Sequence, residues 1–201
     1  MFKFAKHVFV AVLVLFSLSL SAQNGILDSI RKANKSLKTI QGNILETQYL
    51  NSGKTKTCDG KVYFSAPDCF AVHFSNEDEI IVNGQRVRFD HGMFHGTFNS
   101  NKSNLMNNMR CLLTYSFLGE CQHLADECGY YLKTAKKGNE YVVTLTAKKK
   151  KLLNLTIVVL HYNLSYRLVE IEYTATTGDH SSYAVKNVRY DGEVKKEVFV
   201  F

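Results

Sequence analysis

The chain has little of what usually announces a chemistry. Five cysteines in 201 residues are too few for a disulfide scaffold, and an odd number leaves at least one thiol unpaired in a monomer. There is no tryptophan and a single proline, Pro67, and neither an internal repeat nor a low-complexity linker divides the sequence. No G-x-S-x-G elbow occurs, and no cysteine sits in a recognisable nucleophile signature. A strand-helix-strand rhythm is also missing, which excludes a parallel sheet. One antiparallel domain without a familiar catalytic motif is what remains.

The first residues address the compartment. Lys3 and Lys6 precede the apolar run Val8–Leu20, and Ser19-Leu20-Ser21-Ala22 offers small residues for cleavage before Gln23. The run falls short of the ~20 apolar residues that span a bilayer, so it reads as a cleaved secretory signal over residues 1–22. No cysteine lies near the cleavage site, so the new N-terminus has no thiol to lipidate. The expected mature domain, 23–201, lies outside the cytoplasm and suits one core of its size. The whole chain carries a formal charge of +7; losing two lysines and no acid leaves +5. That excess supports solubility and is no nucleic-acid footprint.

Ile26, Leu27, Ile30, Ala33, Leu37 and Ile40 recur at helical spacing, which predicts an amphipathic helix of roughly four turns ending before Gly42. Strands are expected at 43–50 and 54–58 around Asn51-Ser52-Gly53, then in Gly60–Phe64 and Phe70–Phe74 around Pro67-Asp68. Glu79–Val82 and Gln85–Phe89 flank Asn83-Gly84, the strongest short hairpin signal. From Asp90 to Ser103 the chain is polar and broken by glycine, and no strand is expected. Leu105, Met106, Met109, Leu112, Leu113 and Phe117 predict a helix closed by Gly119, with a shorter one from Cys121 to Glu127. Strands resume at 129–135, 141–147, 152–162, 167–176 and 183–190, with a last piece at 198–201.

Candidate reactive groups are weak. Asp90-His91 with His95 lies in a glycine-broken loop with no helix to hold the spacing, and Cys111, Cys121, His123 and Cys128 fit no common zinc pattern, so no metal is expected. One bridge among the three cysteines stays open. Asp179-His180-Ser181-Ser182 places triad residue types side by side, where they point apart, and reads as a polar turn. Lys148–Lys151 is a solvated turn or edge guard, or a docking surface for an acidic partner or lipid headgroups. Asn154-Leu155-Thr156 and Asn163-Leu164-Ser165 match glycosylation sequons but lie on expected strands. Thirteen Phe and eleven Tyr either pack a core or line an apolar cavity.

Several stretches, taken in order, resemble the LolA family. They are an N-terminal helix, Ile40-Gln41-Gly42-Asn43-Ile44-Leu45-Glu46-Thr47-Gln48-Tyr49, Gly60-Lys61-Val62-Tyr63-Phe64 running into Pro67-Asp68-x-Phe70, and Ile80-Ile81-Val82-Asn83-Gly84. Ser182-Tyr183 is a weaker echo. The resemblance implies an α+β fold, a strongly curved antiparallel half-barrel of about ten strands with helices covering its concave face. It also implies a non-enzymatic, cofactor-free, monomeric periplasmic carrier that takes the acyl chains of lipoproteins from an inner-membrane ABC transporter to an outer-membrane acceptor. The lipid-binding cavity it implies is formed by Val62, Phe64, Phe70, Val72, Phe74, Ile81, Phe89, Leu105, Met106, Met109, Leu113 and Phe117. Family carriers commonly place an arginine before the turn proline to tie down the lid, and here that position is Ala66. The alternatives are a carrier of another lipid, a secreted β-rich interaction or structural protein with a packed core, and, last, a hydrolase.

Overall fold

The computed structural model describes residues 25–50, 52–91, 94–148 and 155–201. The expected signal segment and most of the 148–154 stretch, including Lys149–Lys151 and Asn154, lie outside the described residues. Among those described, eleven strands form one antiparallel sheet. In chain order they are β1 Thr39–Tyr49, β2 Thr55–Ser65, β3 Cys69–Phe74, β4 Glu79–Asn83, β5 Arg86–His91, β6 Phe94–Asn99, β7 Tyr130–Lys137, β8 Glu140–Ala147, β9 Leu155–Tyr162, β10 Leu168–Ala175 and β11 His180–Tyr190. Two meanders, β1–β6 and β7–β11, join through the β1–β11 pair, which leaves β6 and β7 as opposite, unpaired edges. The sheet is an unclosed half-barrel.

Three α-helices accompany it among the described residues. Residues 25–34 form α1, Asn104–Leu118 form α2 and Cys121–Cys128 form α3. Both α2 and α3 lie in the connection from β6 to β7, so the chain crosses from one sheet edge to the other as helix. The Ser103 side chain caps α2 by accepting from the Met106 amide, and Gly119 ends it in the left-handed conformation. No helix among the described residues is long and apolar enough to cross a membrane.

Four expectations need correction. The first helix stops at 34, because the buried Asn34 side chain donates to the Ile30 and Tyr166 carbonyls and accepts from Arg167. Leu37 and Ile40 continue its spacing, but Leu37 precedes β1 and Ile40 lies within it, alternating inward with Ile44. Residues 54–58 and 60–64 are one strand, β2, running through Gly60; a Cβ there would stand 2.8 Å from the His73 carbonyl oxygen. The polar stretch after Asp90 contains β6, an edge strand that pairs on one side only. Residues 196–199 form a 3-10 turn on the convex face and not a strand, with Phe199 packed on Ala71 and Ile81.

Burial follows the sheet's curvature. Val62 and Phe64 of β2, Phe70 and Val72 of β3, Ile80 and Val82 of β4, and Val158, Leu160 and Tyr162 of β9 share one continuous core with α2. Residues at successive alternate positions face one side of the sheet, and here that side is concave.

Gly119 fixes where α2 meets α1. Its φ is +70°, and a Cβ would stand 2.8 Å from Ile30 Cγ2 and 2.9 Å from the Ile30 carbonyl oxygen. Gly138 also has positive φ but has nothing within 4 Å of its Cβ position. Gly119→Ala should therefore lose about 3 kcal/mol, combining left-handed strain with overpacking, and Gly138→Ala only about 1 kcal/mol. Urea denaturation of both variants checks the difference.

Candidate functional site

Between the concave face and α2 lies a cavity of about 500 Å³, within the range of small-molecule sites. Phe70, Val72, Ile80 and Phe89 form its wall from the first meander, and Leu155, Ile171, Tyr173, Tyr183 and Val185 its wall from the second. Ile44 of β1 lies between them. Leu105, Met106, Met109, Leu112, Leu113 and Phe117 close it from α2. Polar groups gather at one end, where Gln48, Thr176, Thr177, Asp179, His180 and Ser181 reach the lining. Tyr49 and His180, paired across β1 and β11, lie there with tilted rings, 5.4 Å between centroids.

The twelve residues implied by resemblance divide by position. Phe70, Val72, Phe89, Leu105, Met106, Met109, Leu113 and Phe117 line the cavity. Val62, Phe64 and Phe74 face the same core but are covered by neighbouring side chains. Ile81 is corrected. Its strand alternates, Ile80 and Val82 point inward, and Ile81 packs against Ala71 and Phe199 on the convex side. The second meander's share of the wall was not assigned from sequence. Its alternating Ile171/Tyr173 and Tyr183/Val185 were the available signal, but alternation does not say which face is concave.

The cover is held from both halves of the sheet. Phe117 packs 5.8 Å from both Phe64 and Phe70, ring centroid to ring centroid. From the other half, the fully buried Tyr162 donates its hydroxyl to the Ser116 carbonyl at 2.8 Å, and Cys121 Sγ lies 3.2 Å from the Tyr162 hydroxyl oxygen. Ala66 lies partly buried against the core with its amide donating to the Lys38 carbonyl. An apolar wedge and a phenol on β9 thus contact α2 from the two halves of the sheet.

The wall contains one polar inset. Glu46, only 2% exposed, accepts from the Tyr183 hydroxyl at 2.7 Å and from Gln48 Nε2 at 2.8 Å. Burial first, then Tyr173 and Glu46, pushes the Tyr183 phenol well above its ordinary pKa, so it stays neutral. All five cysteines are free thiols. Burial pushes the Cys121 thiol up to about 12, and the adjoining Cys128 together with burial raises that of Cys111. Neither provides the thiolate that nucleophilic chemistry requires. Asp179 ties back to Thr177, while His180 starts β11, so the triad-like residues do not converge. Asp90 and His95 face each other across β5 and β6, with Nδ1 3.6 Å from Oδ1.

The family model described as "Outer membrane lipoprotein carrier protein LolA" matches residues 35–201. No curated protein matches the chain. Among solved structures, a LolA superfamily protein from Nitrosomonas europaea is 10% identical, with 89% of this chain and 97% of that chain covered and a TM-score of 0.46. A DUF1329 family protein from Desulfovibrio piger is 14% identical over 88% and 96%, with a TM-score of 0.47. The Mycobacterium tuberculosis lipoprotein LppX is 15% identical over 86% and 98%, with a TM-score of 0.43.

Tyr162→Phe should cost about 1–2 kcal/mol, because a buried carbonyl loses a donor. Amide hydrogen exchange should quicken along Asn104–Leu118 while the β1–β11 pair is unchanged. Unaltered exchange in α2 would show that the phenol does not hold the cover.

Proposed function

The chain belongs to the LolA family, and on that premise we propose that it is a periplasmic carrier of acyl chains, with lipoproteins as cargo. The observation that carries the reading is the apolar cavity of about 500 Å³ under α2. A packed core leaves few voids larger than a water molecule, so this volume favours a binding site over structural filling. The carrier acts without covalent chemistry and as a monomer. It accepts cargo from an inner-membrane ABC transporter and yields it to an outer-membrane acceptor, after removal of residues 1–22 leaves the single domain 23–201.

The energetics suit such a task. An acyl chain of roughly fifteen methylenes gains on the order of 12 kcal/mol by leaving water. The carrier shields that surface during transit, and an acceptor of equal or greater apolarity completes the transfer. Met106 and Met109 supply unbranched, adaptable side chains on the covering helix, which accommodate chains of differing length and saturation. Tyr162 and Phe117 hold that helix when the cavity is empty.

Met109 is half-buried and lines the cavity, so a charge there meets water when the cavity is empty and cargo when it is filled. Met109→Glu should weaken uptake of a fluorescent fatty acid or a diacylated lipopeptide by tenfold or more, at least about 1.4 kcal/mol. The far-ultraviolet circular dichroism should not change. A wild-type protein that takes up neither probe, or a variant that binds as well as wild type, would contradict the proposal.

A further inference from the structure

The convex wall behind the cavity carries a second arrangement, on β8, β9 and β10. His161 of β9 stands directly opposite Glu170 of β10, and Glu172 lies two residues further along the same face. One ligating atom from each of the three lies within 4.8 Å of the others. On the far side of the imidazole, Glu140 Oε2 is 2.8 Å from His161 Nδ1. His180 Nε2 is 3.7 Å from Glu172 Oε2, and His180 also reaches the rim of the cavity.

We propose that His161, Glu170 and Glu172 form a binding site for a divalent transition-metal ion of the Zn²⁺ type. Three observations carry it. First, His161 Nε2 is buried and makes no hydrogen bond among the described residues; it is 3.2 Å from Glu172 Oε1, but out of line for one. With Nδ1–H donated to Glu140, Nε2 presents its lone pair to the two carboxylates. A carboxylate behind a histidine is the usual way a metal-ligating imidazole is oriented. Second, Glu140, Glu170 and Glu172 form no ion pair with lysine or arginine among the described residues, in a chain whose net charge is +7. Among the described residues, the ion-pair partners of Glu140 and Glu172 are the imidazoles of His161 and His180. Third, the ligands project from paired strands. Zinc holds nitrogen and oxygen at about 2.0–2.2 Å in a tetrahedron, so ligand atoms end up about 3.4 Å apart. His161 Nε2 and Glu172 Oε1 already stand 3.2 Å apart, and side-chain rotation draws in the remaining atoms, which lie within 4.8 Å. Three protein ligands leave a position for water or for an anionic group brought by another molecule.

The site is separate from the acyl cavity, on the other face of the same strands. Bound metal would cross-link β9 and β10 and, through Glu140, orient against β8, which stiffens the wall that bears Ile171 and Tyr173.

Isothermal titration of the purified, untagged protein with Zn²⁺ tests the assignment. It should show one ion per chain, half-saturated near micromolar concentration. His161→Ala should abolish that binding, Glu172→Gln should weaken it at least tenfold, and Glu140→Gln should weaken it about ten- to a hundredfold. Substitution with Co²⁺ should give visible bands of nitrogen and oxygen ligation without a thiolate charge-transfer band. Half-saturation above about 1 mM, a thiolate band, or equal binding by folded His161→Ala and Glu172→Gln would overturn the proposal.

Discussion

The structure depends on one constraint: an open, curved sheet exposes a concave apolar face that something must cover. A closed barrel would bury that face on itself and leave no entrance; here the two edges, β6 and β7, stay apart. The chain meets the constraint by running from one edge to the other as helix, so α2 lies across the concavity with contacts on both halves. Those contacts differ in kind. Phe117 against Phe64 and Phe70 is non-directional and tolerates sliding, whereas the Tyr162 hydroxyl on the Ser116 carbonyl is directional and buried. A cover held in this way has a defined position and few polar ties to the sheet.

The cavity follows from the same geometry. Curvature keeps α2 from reaching the whole concave face, and the space left is walled by Phe, Ile, Val, Leu and Met, with polar side chains confined to one end. The Glu46 carboxylate within the wall is satisfied by Tyr183 and Gln48, so the polar inset does not compete with the apolar lining for water. Hydrophobic contact is weakly specific for chain shape, so the lining does not select one apolar ligand sharply.

Much of this was legible in the sequence, for identifiable reasons. The Asn83-Gly84 hairpin formed because the turn residues fix the local twist, with Gly84 at φ +60°. The spacing from Leu105 to Phe117 and the stop at Gly119 located α2. The LolA resemblance anticipated the curved sheet and its helical cover. Other features depended on partners distant in sequence. Leu37 and Ile40 keep a helical spacing, yet Asn34 ends α1 through bonds to Tyr166 and Arg167, more than a hundred residues away. The strand β6 has one neighbour and no apolar alternation, so only its pairing with β5 reveals it. Ile81 could be assigned to the convex side only once Phe199 was seen to cover it. The latch was equally hidden, since nothing local marks Tyr162 as the residue that meets Ser116.

Native mass spectrometry of the protein, isolated from its own cell envelope without detergent, tests the central claim most directly. The account predicts a population carrying a discrete added mass that dissociates as an acylated molecule on collisional activation and is lost in Met109→Glu. Wild-type protein that is uniformly bare, and that stays bare after incubation with acylated peptide, would contradict it.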